Sequence, residues 1–209
     1  PTDKIITNRR IVLIAVFYGN TLDNGFVADD HDSIEKNEYV HSLKYFPKVF
    51  TTCISAWVNP LGCRAEGGSF YYRPIHTLST LLTYQISPDA RVFHAVSLAY
   101  FALAAFLIFY FVKILTTELL PSFLAAFLFI IHPIQNGTVN YIGAVPELTL
   151  TIFVLLALIM YAEYRKTNSA RKLFLAHLAY FFALFSKETA VVLPIVFVAM
   201  DIFLFGCRV

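Results

Sequence analysis

The feature that constrains this chain most is a run of about 20 residues, Val92 to Val112, that contains no Asp, Glu, Lys or Arg. A helix of that length and composition matches the hydrocarbon core of a bilayer. The rest of the chain agrees, since 58% of its 209 residues are hydrophobic, only 14% are charged and the mean hydropathy is +0.65. Soluble domains have about a quarter of their residues charged. The sequence therefore predicts an integral membrane protein.

Five more apolar stretches, separated by short polar breaks, have the pattern of further membrane spans. We predict an all-α polytopic protein with about six transmembrane helices and a long first outer loop that carries short amphipathic helices. The predicted spans are 11–28, 92–112, 121–134, 147–164, 172–186 and 188–205, and the outer loop is 29–91. No removable signal peptide is predicted. We expect residues 1–209 to be the N-terminal part of one transmembrane module, with a C-terminal remainder after Val209.

Basic residues set the predicted orientation, because short loops rich in Lys and Arg stay on the cytoplasmic side. With a cytoplasmic N-terminus, nine basic residues lie in cytoplasmic segments and one, Lys187, lies in a short outer loop. The nine are Lys4, Arg9, Arg10, Lys113, Arg165, Lys166, Arg171, Lys172 and Arg208. Most acidic residues fall on the outer side, so we expect the chemistry to take place there.

Charge and cysteine content narrow the function classes. A net charge of +2 without a basic stripe excludes nucleic acid as a partner. Cys53 and Cys63 lie in one polar region, where they are either a disulfide or small apolar packing residues. No metal and no cofactor is expected. A divalent cation held by Asp, His and Glu is an alternative, although no ligand spacing demands it.

Ionisable residues from distant parts of the sequence converge on the predicted outer face, and residues in such a layer are functional candidates. The alternative is that charges belong at helix ends in any case, where Glu147 and Glu188 would favour helix N-termini. The converging residues are Asp29 and Asp30 in the stretch GFVADDHDSI, His94, His132, Glu147, Lys187 and Glu188.

A polar stripe in the first span leads towards this layer. Asn20, Asp23, Asn24 and Val27 recur at helical spacing, i, i+3, i+4 and i+7. Because polar side chains face lipid only at high cost, we expect the stripe to line the bundle interior or an outward cavity.

The outer loop is too long for a bare connection and should carry structure of its own. We predict a short helix on the membrane surface within 43–58, interrupted at Pro47. A second helix is predicted to begin near Pro74, which suits a first helical turn. Its apolar residues Leu78, Leu81, Leu82 and Ile86 share one face.

Five motifs then occur in a fixed order, FVADDHDSI, YYRPIHTLS, FHAVSLAYFALAA, FLFIIHPIQNGTVNYI and KETAVVLPIVFVAMD. Together they resemble the N-terminal half of a GT-C membrane glycosyltransferase, in particular the transmembrane and tetratricopeptide-repeat O-mannosyltransferase-like group and its bacterial relatives. The resemblance implies transfer of a sugar, with mannose as the candidate, from a polyprenyl-phosphate donor to a hydroxyl of a protein or glycan. The site would face the periplasm or exterior, or the endoplasmic reticulum lumen in a eukaryote.

The resemblance also implies residue roles. Asp29 would be the catalytic base and Asp30 its neighbour in positioning or charge balance. The residues implied around the donor phosphate and the acceptor are Arg73, His132, Glu147, Lys187 and Glu188. A carboxylate suits removal of the hydroxyl proton. Lys187, Arg73 or Arg91 could balance the charge of the leaving phosphate.

Two positions depart from the family pattern. Gln135 to Thr138 lack the acidic residue that relatives carry after the His-Pro pair, and Gly143 to Glu147 lack an arginine. Two other functions stay open. One is a polytopic transporter, which would place charges near the midplane and show an inverted repeat. The other is a catalytically degenerate GT-C-like scaffold that binds lipid or partners.

Overall fold

The computed structural model describes residues 13–53 and 71–206, and every regular element in these ranges is helical. Helix α1 covers residues 13–18 and continues as a 3-10 turn, Gly19–Asp23. The other α-helices are α2 (Pro74–Ile86), α3 (Ala90–Thr116), α4 (Leu119–Ile131), α5 (Gln135–Asn140), α6 (Val145–Thr167), α7 (Ala170–Ser186) and α8 (Leu193–Met200). Shorter 3-10 or π-helical segments are His31–Glu35, Glu38–Val40, Leu43–Phe50, Ile142–Ala144, Glu188–Val192 and Asp201–Phe205. The predicted all-α class is confirmed.

Three helical stretches are long and apolar enough to cross a membrane, namely Ala90–Thr116, Ile142–Thr167 and Glu188–Phe205. The apolar helix α4 has 13 residues and therefore a length of about 20 Å, short of the roughly 30 Å of a bilayer core. The described residues thus support an integral membrane protein with three candidate spans. The six-span topology stays a prediction.

The centre of the bundle is the packing of α3 against α6, with α4 and α7 beside them. Ala104, Ala157, Ala162 and Ala179 are buried in this core. Small side chains let helix backbones approach closely, which is how membrane helices gain packing energy. Helix α1 joins through Tyr18, whose hydroxyl donates to the Ile130 carbonyl at 2.8 Å.

Helices α6 and α7 form an antiparallel hairpin that defines two ends of the bundle. Only residues 168–169 separate the helices, and Asn168 turns the chain with φ of +51°, a conformation that Asn tolerates better than most residues. The start of α6 therefore lies beside the end of α7, at the end of the bundle that we name the Asp29 end. The end of α6 lies beside the start of α7, at what we name the Asp201 end.

The predicted polar stripe of the first span is not a continuous helical face. The 3-10 turn stops at Asp23, and Asn24 is extended with ψ of 145°. Asn24 and Val27 are exposed, whereas Thr21, which is not part of the stripe, is fully buried. The prediction was wrong because it extended a 3.6-residue period past the point where the helix ends.

The outer-loop predictions are met in part. Leu43–Phe50 is a 3-10 helix that contains Pro47, while 54–58 lie outside the described residues. Helix α2 begins at Pro74, as predicted. Its apolar face is divided, since Leu81 is buried but Leu82 and Ile86 are exposed. The side of α2 that packs is formed largely by His76, Ser79, Thr80 and Thr83, so the apolar residues do not mark the buried face.

Cys53 is disulfide-bonded. The two other cysteines, Cys63 and Cys207, lie outside the described residues. Of the two alternatives for Cys53, the disulfide is the one that the structure has.

Candidate active site at the Asp29 end

The two aspartates of the first loop have opposite environments. Asp29 is exposed, whereas Asp30 is fully buried. The Val27 amide donates to Oδ2 of Asp30 at 3.2 Å, and the Asp30 amide donates to the Val27 carbonyl at 3.0 Å. Asp30 thereby closes a tight turn that presents Asp29 outwards. Ala28, inside this turn, has φ of +48°, a conformation that costs a non-glycine residue energy.

Burial leaves Asp30 poorly solvated. Desolvation raises the pKa of its carboxyl above the ordinary value of 3.8, and the backbone amides of Val27 and Gly143 offset part of this effect. Oδ1 of Asp30 accepts no hydrogen bond from any residue that the structure describes. An aspartate of this kind holds the loop and is not available to an external substrate.

Tyr141 lies against Asp29 and was missed by the sequence reasoning. Its hydroxyl lies close enough to the Asp29 carboxylate for that negative charge to act on it. Burial, then the negative charges of Asp29 and Asp30, raises the pKa of Tyr141 to about 12. The phenol is therefore neutral at physiological pH and can donate to Asp29. The motif FLFIIHPIQNGTVNYI contains this tyrosine, but nothing in its spacing indicated the contact.

Gly143 makes room for that tyrosine. A Cβ atom at position 143 would lie 2.4 Å from Cζ and 2.5 Å from the hydroxyl oxygen of Tyr141. Such distances do not occur between non-bonded atoms, so any side chain at 143 would push the ring away. A glycine is therefore required at position 143 if the Tyr141 ring is to keep its place beside Asp29.

An asparagine cluster fixes the approach of the first segment to α5. Thr21 Oγ1 donates to Oδ1 of Asn140 at 2.5 Å, and Asn24 Nδ2 donates to the same oxygen at 3.4 Å. Asn140 in turn donates to Oδ1 of Asn136. These bonds tie the segment before Asp29 to the segment that carries Tyr141.

Two ion pairs join three other elements at this end. The guanidinium of Arg73, just before α2, donates to both carboxylate oxygens of Glu188, from Nε at 3.1 Å and from Nη2 at 2.6 Å. Lys187, the residue that follows α7, donates to Oε1 of Glu147 in the first turn of α6 at 2.6 Å. Four of the residues expected around the donor phosphate are therefore brought together in pairs.

Arg73 is well fixed in place. Its guanidinium lies over the Tyr71 ring, 4.4 Å from the centroid. His76, one turn later, is buried, and burial followed by the nearby Arg73 charge lowers its pKa to about 4. The imidazole is therefore neutral at physiological pH and does not compete with Arg73 for anions.

Other candidates do not join these pairs. His132 is exposed at the end of α4, and its Nδ1 accepts from the Ile134 amide at 3.2 Å. Arg91 is exposed at the start of α3. His94 and Ser97 are fully buried in α3, with Gly25 beside the His94 ring. Residues 13–53 and 71–206 contain no group of three or more His, Cys, Asp or Glu residues that could hold a metal.

Comparison with known proteins gives distant matches of one kind. The chain is 29% identical over 154 residues to the protein O-mannosyl-transferase TMTC3 of Mus musculus, which covers 73% of this chain and 16% of that protein. A protein O-mannosyl-transferase of Caenorhabditis elegans is 29% identical over 76% of this chain and 23% of its own length. One of Drosophila melanogaster is 28% identical over 86% of this chain and 20% of its own length.

No family profile and no solved structure matches the chain. The chain spans about a fifth of the length of the curated relatives it matches. These relatives confirm the resemblance to the transmembrane and tetratricopeptide-repeat O-mannosyltransferase-like group that the ordered motifs indicated. The chain is a distant homologue of one segment of the protein O-mannosyl-transferases.

Proposed function

We propose that this chain is the catalytic part of a membrane glycosyltransferase that moves a sugar, with mannose as the candidate, from a polyprenyl-phosphate donor to a hydroxyl group on protein. The observation that carries the proposal is the exposed Asp29 carboxylate, with a neutral tyrosine beside it, at the end of the bundle that holds two paired cations. The homology to protein O-mannosyl-transferases supports the reaction class.

In the proposed reaction Asp29 is the base. The acceptor oxygen forms a bond to the anomeric carbon, the bond from that carbon to the phosphate oxygen breaks, and the hydroxyl proton passes to Asp29. The electron pair of the broken bond stays on the phosphate. The neutral Tyr141 hydroxyl beside Asp29 is proposed to donate a hydrogen bond to it and so to hold the carboxylate in one orientation. Asp30 holds the turn through its bonds to Val27 and does not accept the proton of the acceptor hydroxyl.

The leaving phosphate gains negative charge as its bond to the sugar breaks. Arg73 and Lys187 are the cations proposed to stabilise that charge, because a fork of two N–H groups and a point charge at one site suit a phosphate. Cations that are fixed before the reaction stabilise developing charge without reorganisation. The stacking of Arg73 on Tyr71 supplies such fixation.

The proposed location is the outer face of the membrane. Nine of the ten basic residues in the terminal segments and short loops fall on the other side of the predicted topology. The disulfide at Cys53 lies in the predicted outer loop, and disulfides persist in oxidising compartments outside the cytosol. Both observations support the proposed orientation.

The test is a transfer assay with the full-length protein in proteoliposomes, a polyprenyl-phosphate-linked sugar and an acceptor peptide rich in serine and threonine. Asp29→Asn should lower transfer by at least about 100-fold, the scale of general-base catalysis. Asp32→Asn is the matched control, because Asp32 is exposed in the same loop and pairs with Lys36 instead. Unchanged transfer by Asp29→Asn would contradict the proposal.

The same preparation separates the two alternatives. A scaffold would bind the polyprenyl-phosphate sugar and transfer it to no acceptor. A transporter would show substrate-dependent flux across the proteoliposome membrane that Asp29→Asn need not abolish. The proposed enzyme requires transfer that depends on Asp29 and no such flux.

A further inference from the structure

Four charged residues at the Asp29 end form two adjacent ion pairs, Arg73–Glu188 and Lys187–Glu147. Lys187 and Glu188 are neighbours in the chain, yet each pairs with an oppositely charged residue on a different element. Lys187 contacts Glu147 on α6, and Glu188 contacts Arg73 before α2. Two positive and two negative charges therefore cancel, and each cation is already occupied by a carboxylate of the protein.

The cations and the carboxylates are not equally exposed. The side chains of Arg73 and Lys187 are 15% and 21% exposed, whereas those of Glu188 and Glu147 are 53% and 43% exposed. The cations are thus held by their surroundings, while the Glu188 side chain is half exposed and the Glu147 side chain is partly exposed, although its Oε2 is buried. A carboxylate in this position can turn towards water and leave the cation in place.

The geometry of the pairs matches what a phosphate would take up. Arg73 presents two parallel N–H groups to Glu188, the arrangement with which arginine binds either a carboxylate or a phosphate. Lys187 holds only Oε1 of Glu147, and Oε2 is buried with no donor among the described residues. The Lys187–Glu147 pair is therefore incompletely satisfied, which lowers the cost of exchanging its anion.

We infer that Glu188 and Glu147 are internal competitors of the phosphate, which occupy Arg73 and Lys187 until a polyprenyl phosphate displaces them and which return when it leaves. The inference rests on the proposed function, since it concerns the phosphate site of that reaction. A donor phosphodiester carries one negative charge and the product monoester carries more, so bare cations would hold the product most tightly. Internal carboxylates lower the affinity for that product and favour its release.

The binding test uses the full-length protein in nanodiscs, with farnesyl phosphate as the probe and isothermal titration calorimetry as the readout. Glu188→Gln should tighten the Kd for farnesyl phosphate about fivefold, and Glu147→Gln by about half of that factor, because half-exposed pairs contribute modest energies. Arg73→Gln and Lys187→Gln should weaken binding at least about tenfold. Farnesol, which lacks the phosphate, should show no difference among the variants.

Glu163→Gln is the matched control, because Glu163 pairs with Lys172 across the same two helices at 2.7 Å but at the Asp201 end. It should leave the Kd for farnesyl phosphate unchanged. Glu188→Asp serves if the glutamine variant is not obtained folded, since the shorter side chain keeps its charge but cannot reach both guanidinium nitrogens. It too should bind the probe more tightly.

The outcomes separate the inference from the proposed function. If Arg73→Gln weakens binding but Glu188→Gln and Glu147→Gln do not tighten it, the inference is wrong and the phosphate site stands. If neither Arg73→Gln nor Lys187→Gln changes the Kd, the phosphate site itself is wrong, and the inference falls with it. An equal gain for inorganic phosphate would contradict recognition of the lipid carrier.

Discussion

The α6–α7 hairpin carries a lysine–glutamate pair at each end, and the two pairs differ in how far the anion is exposed. At the Asp201 end Lys172 and Glu163 are 30% and 27% exposed, so cation and anion are equally shielded. At the Asp29 end the anion is twice as exposed as the cation. The N–O distances, 2.7 and 2.6 Å, are nearly the same.

The other contacts at the two ends of the hairpin differ as well. At the Asp201 end, Asp201 accepts from the Tyr161 hydroxyl at 2.6 Å and pairs with Arg165 at 3.2 Å, and Lys166 donates to the Ile114 carbonyl. Those contacts tie α6 to the segment after α8 and to α3. The Asp29 end instead has the exposed Asp29 carboxylate and two partly exposed glutamate side chains. By our inference, identical residue types stabilise the bundle at one end and offer replaceable contacts at the other.

We expect the largest difference between the two ends when Lys187 and Lys172 are each substituted and sugar transfer is measured. Lys187→Gln should lower sugar transfer about 100-fold, because it removes a fixed cation from the leaving phosphate. Lys172→Gln should leave transfer per folded molecule within about twofold and act on thermal stability alone. Steady-state transfer and the melting temperature, measured on both variants, make the comparison. Equal losses of transfer would show that both ends are structural.

The positions of the long apolar helices could be predicted from the sequence. Apolar runs bounded by polar residues placed α3 and α6 within a few residues of their observed bounds, because burial in lipid requires that pattern. Counting spans also placed Arg73, Glu147, Lys187 and Glu188 at one end. It could not say which cation takes which anion, since the partners lie 115 and 40 positions apart.

The different burial of Asp29 and Asp30 could not be predicted from the sequence either. Adjacent residues in a turn point in different directions, but which of Asp29 and Asp30 is buried depends on the turn closed at Val27 and on the Gly143 backbone. Tyr141 was missed for the same reason, because a tyrosine before a predicted span is ordinarily read as an interfacial anchor. Only the packing over Gly143 indicates its contact with Asp29.

A glycine substitution tests that packing with a smaller effect. Gly143→Ala should displace the Tyr141 ring and lower transfer about tenfold, because the base loses its fixed orientation. Gly137→Ala is the control, since a Cβ at 137 meets nothing within 4 Å. The same transfer assay compares them. Full activity in Gly143→Ala would show that the orientation of Tyr141 does not matter to the reaction.

The smallest effect concerns Asp30 and the stability of the loop. Its pKa is raised by burial, so the folded state disfavours the ionised carboxylate. The stabilising contribution of Asp30 is then complete below its ordinary pKa of 3.8 and is lost as the pH rises through the higher folded value. Asp30→Asn should therefore melt at the same or a higher temperature than the unsubstituted protein at pH 7, with the advantage shrinking towards pH 4. A melting temperature lowered at pH 7 would contradict this account.

The central claim is that Asp29 removes the acceptor proton, and single-turnover kinetics test it most directly. The measurement compares the rate of sugar transfer at saturating donor with the Kd for the same polyprenyl-phosphate sugar, in Asp29→Asn and in the unsubstituted protein. The account predicts a rate lower by at least about 100-fold and a Kd within about twofold. A Kd that weakens as much as the rate falls, or a rate that does not fall, would contradict it.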